Sequence, residues 1–189
     1  MHCLHIIQVV EESELIQGCL REDRKCQEIV FHRYAGKLMS LSLRYARHRM
    51  EAEDILQDAF VRIFNHLNQF EGKGSLEGWM RRVVVNTALK YVDRKPFSRE
   101  LLGSVEPPEE ESVTLPEVFH QLQEEELLQL ISQLPDGYRI VFNMYAIEGY
   151  SHAEIAELLG IQESTSRSQL VKARKMLQAQ VTGVQKVAV

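Results

Sequence analysis

Between Pro96 and Pro116 the chain carries four prolines, five glutamates and only scattered apolar residues. Such a stretch cannot bury enough apolar surface to repay the entropy of ordering it. It reads as a linker over 96–116, and it obliges the 189-residue chain to fold as two small units, 1–95 and 117–180, with a tail at 181–189. Both flanks have helical spacing, and neither has the alternation of a strand. In the first, Cys26, Val30, Tyr34, Leu38, Leu41 and Tyr45 fall on one face of a long helix that Asp23 can cap. A shorter helix before it presents Leu15, Ile16, Cys19 and Leu20. A third, from about Ala52, presents Ile55, Leu56, Ala59, Phe60, Ile63 and Leu67. Glu71-Gly-Lys-Gly-Ser75 then breaks the period, and Ser75 can cap a fourth helix, Leu76 to about Arg94.

Beyond the linker, helical spacing resumes at Phe119, Leu122, Leu127, Leu130 and Leu134, stops at Pro135-Asp-Gly137, and returns with Ile140, Val141, Met144, Tyr145 and Ile147. Ser151-His-Ala-Glu154 has the form of a capping box, in which serine and glutamate satisfy each other's orphan backbone donors. A short helix with Ile155, Ala156 and Leu159, a turn at Gly160-Ile161 and a second helix with Leu170, Ala173 and Leu177 make a helix-turn-helix. With Ser166, Leu170, Ala173 and Leu177 inward, the other face carries Thr165, Arg167, Ser168, Val171, Lys172 and Lys175, with Ser164 at its start. Short hydroxyls, cations and one apolar side chain are the inventory that reads phosphates, base edges and a thymine methyl. The expected fold is all-α: a four-helix unit and a helix-turn-helix unit on a flexible acidic linker.

A net charge of −5 argues against a nucleic-acid partner only until it is divided along the chain. Residues 1–95 carry +2, 96–126 carry −8 and 127–189 carry +1. Trp79 to Lys95 holds five basic residues and one acid, and Glu163 to Met176 holds four and one. Such runs suit phosphate contacts, although a charge run is more often a solvated face.

Several motifs in order carry a resemblance to a known family. Glu53-Asp-Ile-Leu-Gln-Asp-Ala-Phe60, Gly78-Trp-Met-Arg-Arg-Val-Val-Val-Asn-Thr-Ala88, Leu134-Pro-Asp-Gly-Tyr-Arg-Ile-Val-Phe142, Glu148-Gly-Tyr-Ser-His-Ala-Glu-Ile-Ala156 and Arg167-Ser168 with Lys172-Ala-Arg174 together resemble an extracytoplasmic-function sigma factor, the small two-domain class of bacterial RNA polymerase sigma factors. The resemblance covers nearly the whole chain. It implies that Glu53, Asp54, Gln57 and Asp58 meet the clamp helices of core RNA polymerase. It implies that Asn86 reads a flipped base of the single-stranded promoter −10 element beside a loop from Phe70 to Ser75 that also brings Lys73 to the site, with Arg81, Arg82, Lys90, Arg94 and Lys95 on phosphates. It also implies that Ser164, Thr165, Arg167, Ser168, Val171, Lys172 and Lys175 face the double-stranded −35 element, and that an anti-sigma factor is a partner. From its spacing alone Trp79 is core rather than a stacking platform. Ser166, Gln169 and Val171 depart from the family pattern, which leaves the −35 sequence open. Glu106, Glu109, Glu110 and Glu111 suit basic channel walls, or a simple spacer.

Other classes fit less well. His2, Cys3, His5, Cys19, Cys26, His48, Glu51 and His66 offer ligands for a zinc hydrolase, but no CxxC or HExxH spacing occurs, so no metal or cofactor is expected. No nucleophile is paired with a base, so an enzyme is not expected; transcription chemistry would belong to the polymerase. A conventional operator-binding regulator accounts for the second unit and leaves the glycine loop and the Asn86 helix without a task. Without a run of about 18 apolar residues or a signal-peptide start, membrane insertion and export are not expected. Three cysteines crowded near the N-terminus suit free thiols in a reducing cytoplasm.

Overall fold

A computed structural model describes residues 11–93 and 124–187. Eight α-helices and no strand occur among the described residues. The described residues separate into two compact units, with the boundary between Thr87 and Ala88 in the fourth helix. The 96–116 linker, Arg94, Lys95, Phe119 and Leu122 lie outside the described residues.

In the first unit, α1 (Glu12–Leu20) and α2 (Arg24–Tyr45) are joined by a turn that Glu22 makes at φ 60°. The Asp23 carboxylate then accepts the Lys25 N–H at 2.8 Å, the expected cap. Helix α3 (Arg49–His66) starts three residues before Ala52 because His48 caps it, Nδ1 accepting the Glu51 N–H at 3.1 Å. A 3-10 turn (Leu67–Gln69) leads to the glycine loop and α4 (Leu76–Asp93). The stripes read from the sequence form the core, with Leu15, Val30, Leu38, Leu41, Ile55 and Ile63 buried, and Ala52 of α3 and Met80 and Val84 of α4 join them. Leu20, expected inward, is 42% exposed because α1 ends there and the chain turns away. Cys26, at the start of the α2 stripe, is half-buried, and a Cβ at Gly18 would collide with its Sγ. That contact explains the glycine in α1. Burial, with Cys26 and Asp23 nearby, pushes the Cys19 thiol up to about 11.

The second unit contains α5 (Glu124–Ser132), α6 (Asp136–Phe142) running into a π turn (Asn143–Ile147), α7 (His152–Leu159) and α8 (Glu163–Val187). Pro135 sits at the N-cap of α6, where its missing N–H costs nothing. Asp136 and Gly137, read as a stop, therefore open a helix. Arg139 is 3% exposed, and its Nη2 donates to Asp136 Oδ1 at 2.8 Å, a carboxylate that offsets part of the cost of burying the charge. Helix α8 packs against α6 and α7, and its buried face continues past 180 to Val181. Most of the expected 181–189 tail is thus helix.

Candidate nucleic-acid interface

Three surfaces carry the candidate residues. On α3, Glu53, Asp54, Gln57 and Asp58 are all exposed, opposite the buried Ala52, Ile55 and Ala59. Arg49 Nε donates to Glu53 Oε1 at 2.8 Å, so part of this acidity is neutralised within the helix.

The second surface is the glycine loop and α4. Gly72 and Gly74 adopt φ of +73° and +86°, and a Cβ on either would meet nothing within 4 Å. The glycines serve conformation rather than space. Lys73 is exposed at the tip and pairs with Glu71 at 2.6 Å. Ser75 Oγ accepts the Gly78 N–H at 3.1 Å, so its hydroxyl caps α4. Phe70 and Trp79 are both half-buried, their ring centroids 6.0 Å apart and tilted by 50°. Trp79 is therefore less buried than its spacing indicates. Along α4, Arg82, Asn86 and Lys90 are exposed one turn apart, a row about 12 Å long at 1.5 Å per residue, while Val84, Val85, Thr87 and Ala88 are buried. Asn86 has no side-chain partner within the chain among the described residues. Arg81 is half-buried and engaged.

The third surface is the helix-turn-helix. The Ser151 capping box is formed: Ser151 Oγ accepts the Glu154 N–H at 3.2 Å, and Glu154 Oε2 accepts the Ser151 N–H at 2.8 Å. Gly160, at φ 64°, turns the chain and Ile161 N–H donates to Ala156 O at 3.0 Å. As the spacing predicts, Ser166, Leu170, Ala173 and Leu177 are buried. Ser164, Arg167 and Lys175 are exposed, and Thr165, Val171 and Lys172 are half-buried. Ser168 corrects the sequence reading: it is 8% exposed, and its Oγ donates to Thr165 O at 2.9 Å. Its hydroxyl hydrogen is thus used within α8 and the side chain is turned toward the inner face. Gln169 is also buried, at 4%, so its departure from the family pattern falls on the inner face. Arg167 Nη2 donates to Glu163 at 2.6 Å.

One residue that carried no role in the sequence reading joins the two helices of this surface. His152 Nδ1 lies 2.8 Å from the buried Ser166 Oγ, tying the first residue of α7 to α8. Its ring stacks on Tyr145 at 4.4 Å and 19°, and Arg174 lies 6.0 Å from the Tyr145 ring centre. Burial first, then Arg167 and Arg174 against an opposing Glu163, holds the His152 pKa below its ordinary 6.5. The unexpected serine at 166 is thus matched to a histidine at 152. Elsewhere His48 is used as a cap. Among the described residues no group of three or more His, Cys, Asp or Glu is placed to hold a metal ion, and no helix is long and apolar enough to cross a membrane.

Residues 30–96 match sigma-70 region 2, and residues 124–177 match sigma-70 region 4. The chain belongs to the sigma-70 family of RNA polymerase sigma factors, and within it to the extracytoplasmic-function type. It is 28% identical to the ECF RNA polymerase sigma-E factor of Escherichia coli K12, over 90% of this chain and 94% of that one. It is 25% identical to the RNA polymerase sigma-H factor of Pseudomonas aeruginosa, over 88% of this chain and 92% of that one. Its fold is similar to that of the sigma factor RpoE solved in complex with the anti-sigma factor NepR from Bartonella quintana, with TM-score 0.52 and 18% identity over 82% of this chain and 96% of that one. It is also similar to CnrH in complex with the cytosolic domain of CnrY, with TM-score 0.50 and 18% identity over 90% and 96%. The family is not an enzyme class.

Proposed function

We propose that this sigma factor docks on core RNA polymerase through Glu53, Asp54, Gln57 and Asp58 of α3. The α8 face around Ser164, Thr165, Arg167, Lys172 and Lys175 then binds the −35 duplex, while the loop from Phe70 to Ser75 and the α4 row hold the opened −10 strand. The observation that carries the reading is Asn86, an exposed amide between Arg82 and Lys90 with no partner among the described residues. Asparagine is a poor residue for a helix interior, and a solvated face would do better with Glu, Gln, Lys or Arg. An amide can pair with a base edge, and cations one turn away on either side suit the flanking phosphates. The protein brings no reaction centre of its own; the polymerase supplies the chemistry in the cytoplasm. An anti-sigma factor, as found on the RpoE neighbour, is the partner that would hold it off the polymerase.

Run-off transcription tests this. Core polymerase plus the chain should produce transcripts from genomic promoters that core enzyme alone does not. Sequence-specific duplex binding with no RNA synthesis would instead identify an operator-binding regulator.

A further inference from the structure

We propose that His152 contacts a DNA phosphate, held in place by Ser166, and that DNA binding through it takes up a proton. The proposal rests on the reading of α8 as the DNA-binding helix. In a helix-turn-helix the first helix crosses the phosphate backbone while the second enters the groove. His152 is the first residue of that first helix, and it is hydrogen-bonded to the second. Two contacts fix its ring, the 2.8 Å approach of Nδ1 to Ser166 Oγ and the stack on Tyr145 at 4.4 Å. Ser166 is fully buried, so its hydroxyl stays engaged. When that hydroxyl donates to Nδ1, the ring proton resides on Nε2, which has no partner within the chain among the described residues and is free to donate outward.

The charges around the ring set the direction of proton linkage. Arg167 and Arg174 on α8 oppose a positive His152; Glu163, on the same helix, favours it but is occupied by Arg167 at 2.6 Å. Tyr145 supplies the uncharged stacking face. A phosphate arriving beside Arg167 reverses the local sign and favours the imidazolium. The added proton goes to Nδ1, which then donates to Ser166 Oγ while the hydroxyl turns its own hydrogen aside. Nε2–H remains available to the phosphate in both states, neutral before and charged after. Binding is therefore tighter at low pH and weakens as pH rises through the value His152 has in the complex.

His152 is one of seven histidines and the only one in residues 124–189, so the difference between parent and His152 variant assigns the linkage. The experiment is fluorescence anisotropy of a short mixed-sequence duplex with the full chain, from about pH 5.5 to 8. Phosphate contact is sequence-independent, so no promoter is needed. If binding raises the His152 pKa by about one unit, affinity should be roughly tenfold higher at the acid end. His152→Gln should flatten that dependence, so the slope with pH rather than the absolute affinity is the readout, because the neutral ring's contact is lost at every pH as well. A variant-free check is the NMR titration of the His152 Cε1–H signal, whose midpoint should move up when the duplex is added. Equal pH slopes in parent and variant, or an unmoved midpoint, would overturn the proposal. Absence of duplex binding at every pH, with no run-off product, would overturn it together with the reading it rests on.

Discussion

Replacing Asn86 separates strand opening from folding more cleanly than any other single change. The residue is exposed and makes no side-chain bond among the described residues, so Asn86→Ala removes no internal hydrogen bond there. Alanine is the better helix former by about 0.6 kcal/mol, which for a unit of this size should raise Tm by about 3 °C. A lost amide-to-base contact should cost about 1 to 3 kcal/mol of discrimination at one promoter position, roughly 5- to 150-fold. Asn86→Asp sharpens the contrast. A carboxylate between Arg82 and Lys90 makes two i,i+4 pairs worth about 0.3 kcal/mol each, so this variant should also be stabilised. Yet it repels phosphate and cannot donate to a base. The assay is permanganate footprinting of open complexes formed with core polymerase, on duplex promoter and on a template already mismatched across the −10 element. Both variants should bind core normally, give fewer open complexes on duplex, and partly recover on the mismatched template. Wild-type opening and base preference would remove Asn86 from the site. A lowered Tm would show that its amide is structural.

On α3, Asp54→Arg with Gln57→Ala should weaken co-purification with core polymerase several-fold without loss of helicity, because both side chains are exposed; undiminished association would place the interface elsewhere. Asp136→Ala should destabilise the second unit by about 3 kcal/mol in urea melts, because it leaves the buried Arg139 guanidinium without its carboxylate. A loss below about 1 kcal/mol would mean that the remaining contacts of Arg139, such as its 3.4 Å bond to Ser132 O, satisfy it. His152 gives a pH prediction for the DNA-free protein. Its folded value lies below 6.5, so its contribution to stability is full above 6.5 and is lost as pH falls through the folded value. Thermal melts of His152→Gln should therefore lose less on acidification than the parent, the opposite sign to the DNA-bound effect.

Periodicity made the helices legible, and it could locate a buried face only where one partner lies on one side. The stripe of Ser166, Leu170, Ala173 and Leu177 is narrow enough to suggest that Ser168 points away. Because α8 is packed by α6 as well as α7, its buried arc is wider than the stripe and takes in Ser168 and Gln169. Local chemistry was readable wherever it closes within a few residues: the Asp23 and Ser75 caps, the Ser151–Glu154 box and the Gly160 turn all follow from short-range patterns. The His152–Ser166 bond spans fourteen positions and joins two residues that each look merely polar, so nothing in the spacing marks it. The same holds for the Lys37–Glu77 pair at 2.7 Å, which links α2 to the start of α4. The half-exposed Trp79 depends on how much of its ring Phe70 covers, a property of the loop's conformation rather than of helical offset.

Some of the cations expected to meet DNA are already paired within the free protein, and this bears on selectivity. Arg167 bonds Glu163, and Lys73 bonds Glu71, with both members of each pair solvated. Exposed pairs of this kind are worth at most about 1 kcal/mol, so a phosphate can displace the carboxylate at small cost. The displaced carboxylate remains beside the phosphate, well inside the Debye length of about 8 Å, and repels it. Glu163 should therefore lower affinity for every duplex while leaving any base contact of Arg167 intact, which favours sites where that contact is made. Glu163→Gln should raise mixed-sequence affinity up to about fivefold and narrow the ratio between promoter and mixed-sequence DNA. The double-mutant cycle with Arg167→Ala decides whether the effect runs through the pair. If Arg167 is at the interface, the gain from Glu163→Gln should shrink when Arg167 is absent. A gain of the same size in both backgrounds would mean that Glu163 repels DNA on its own and that Arg167 stands outside the contact.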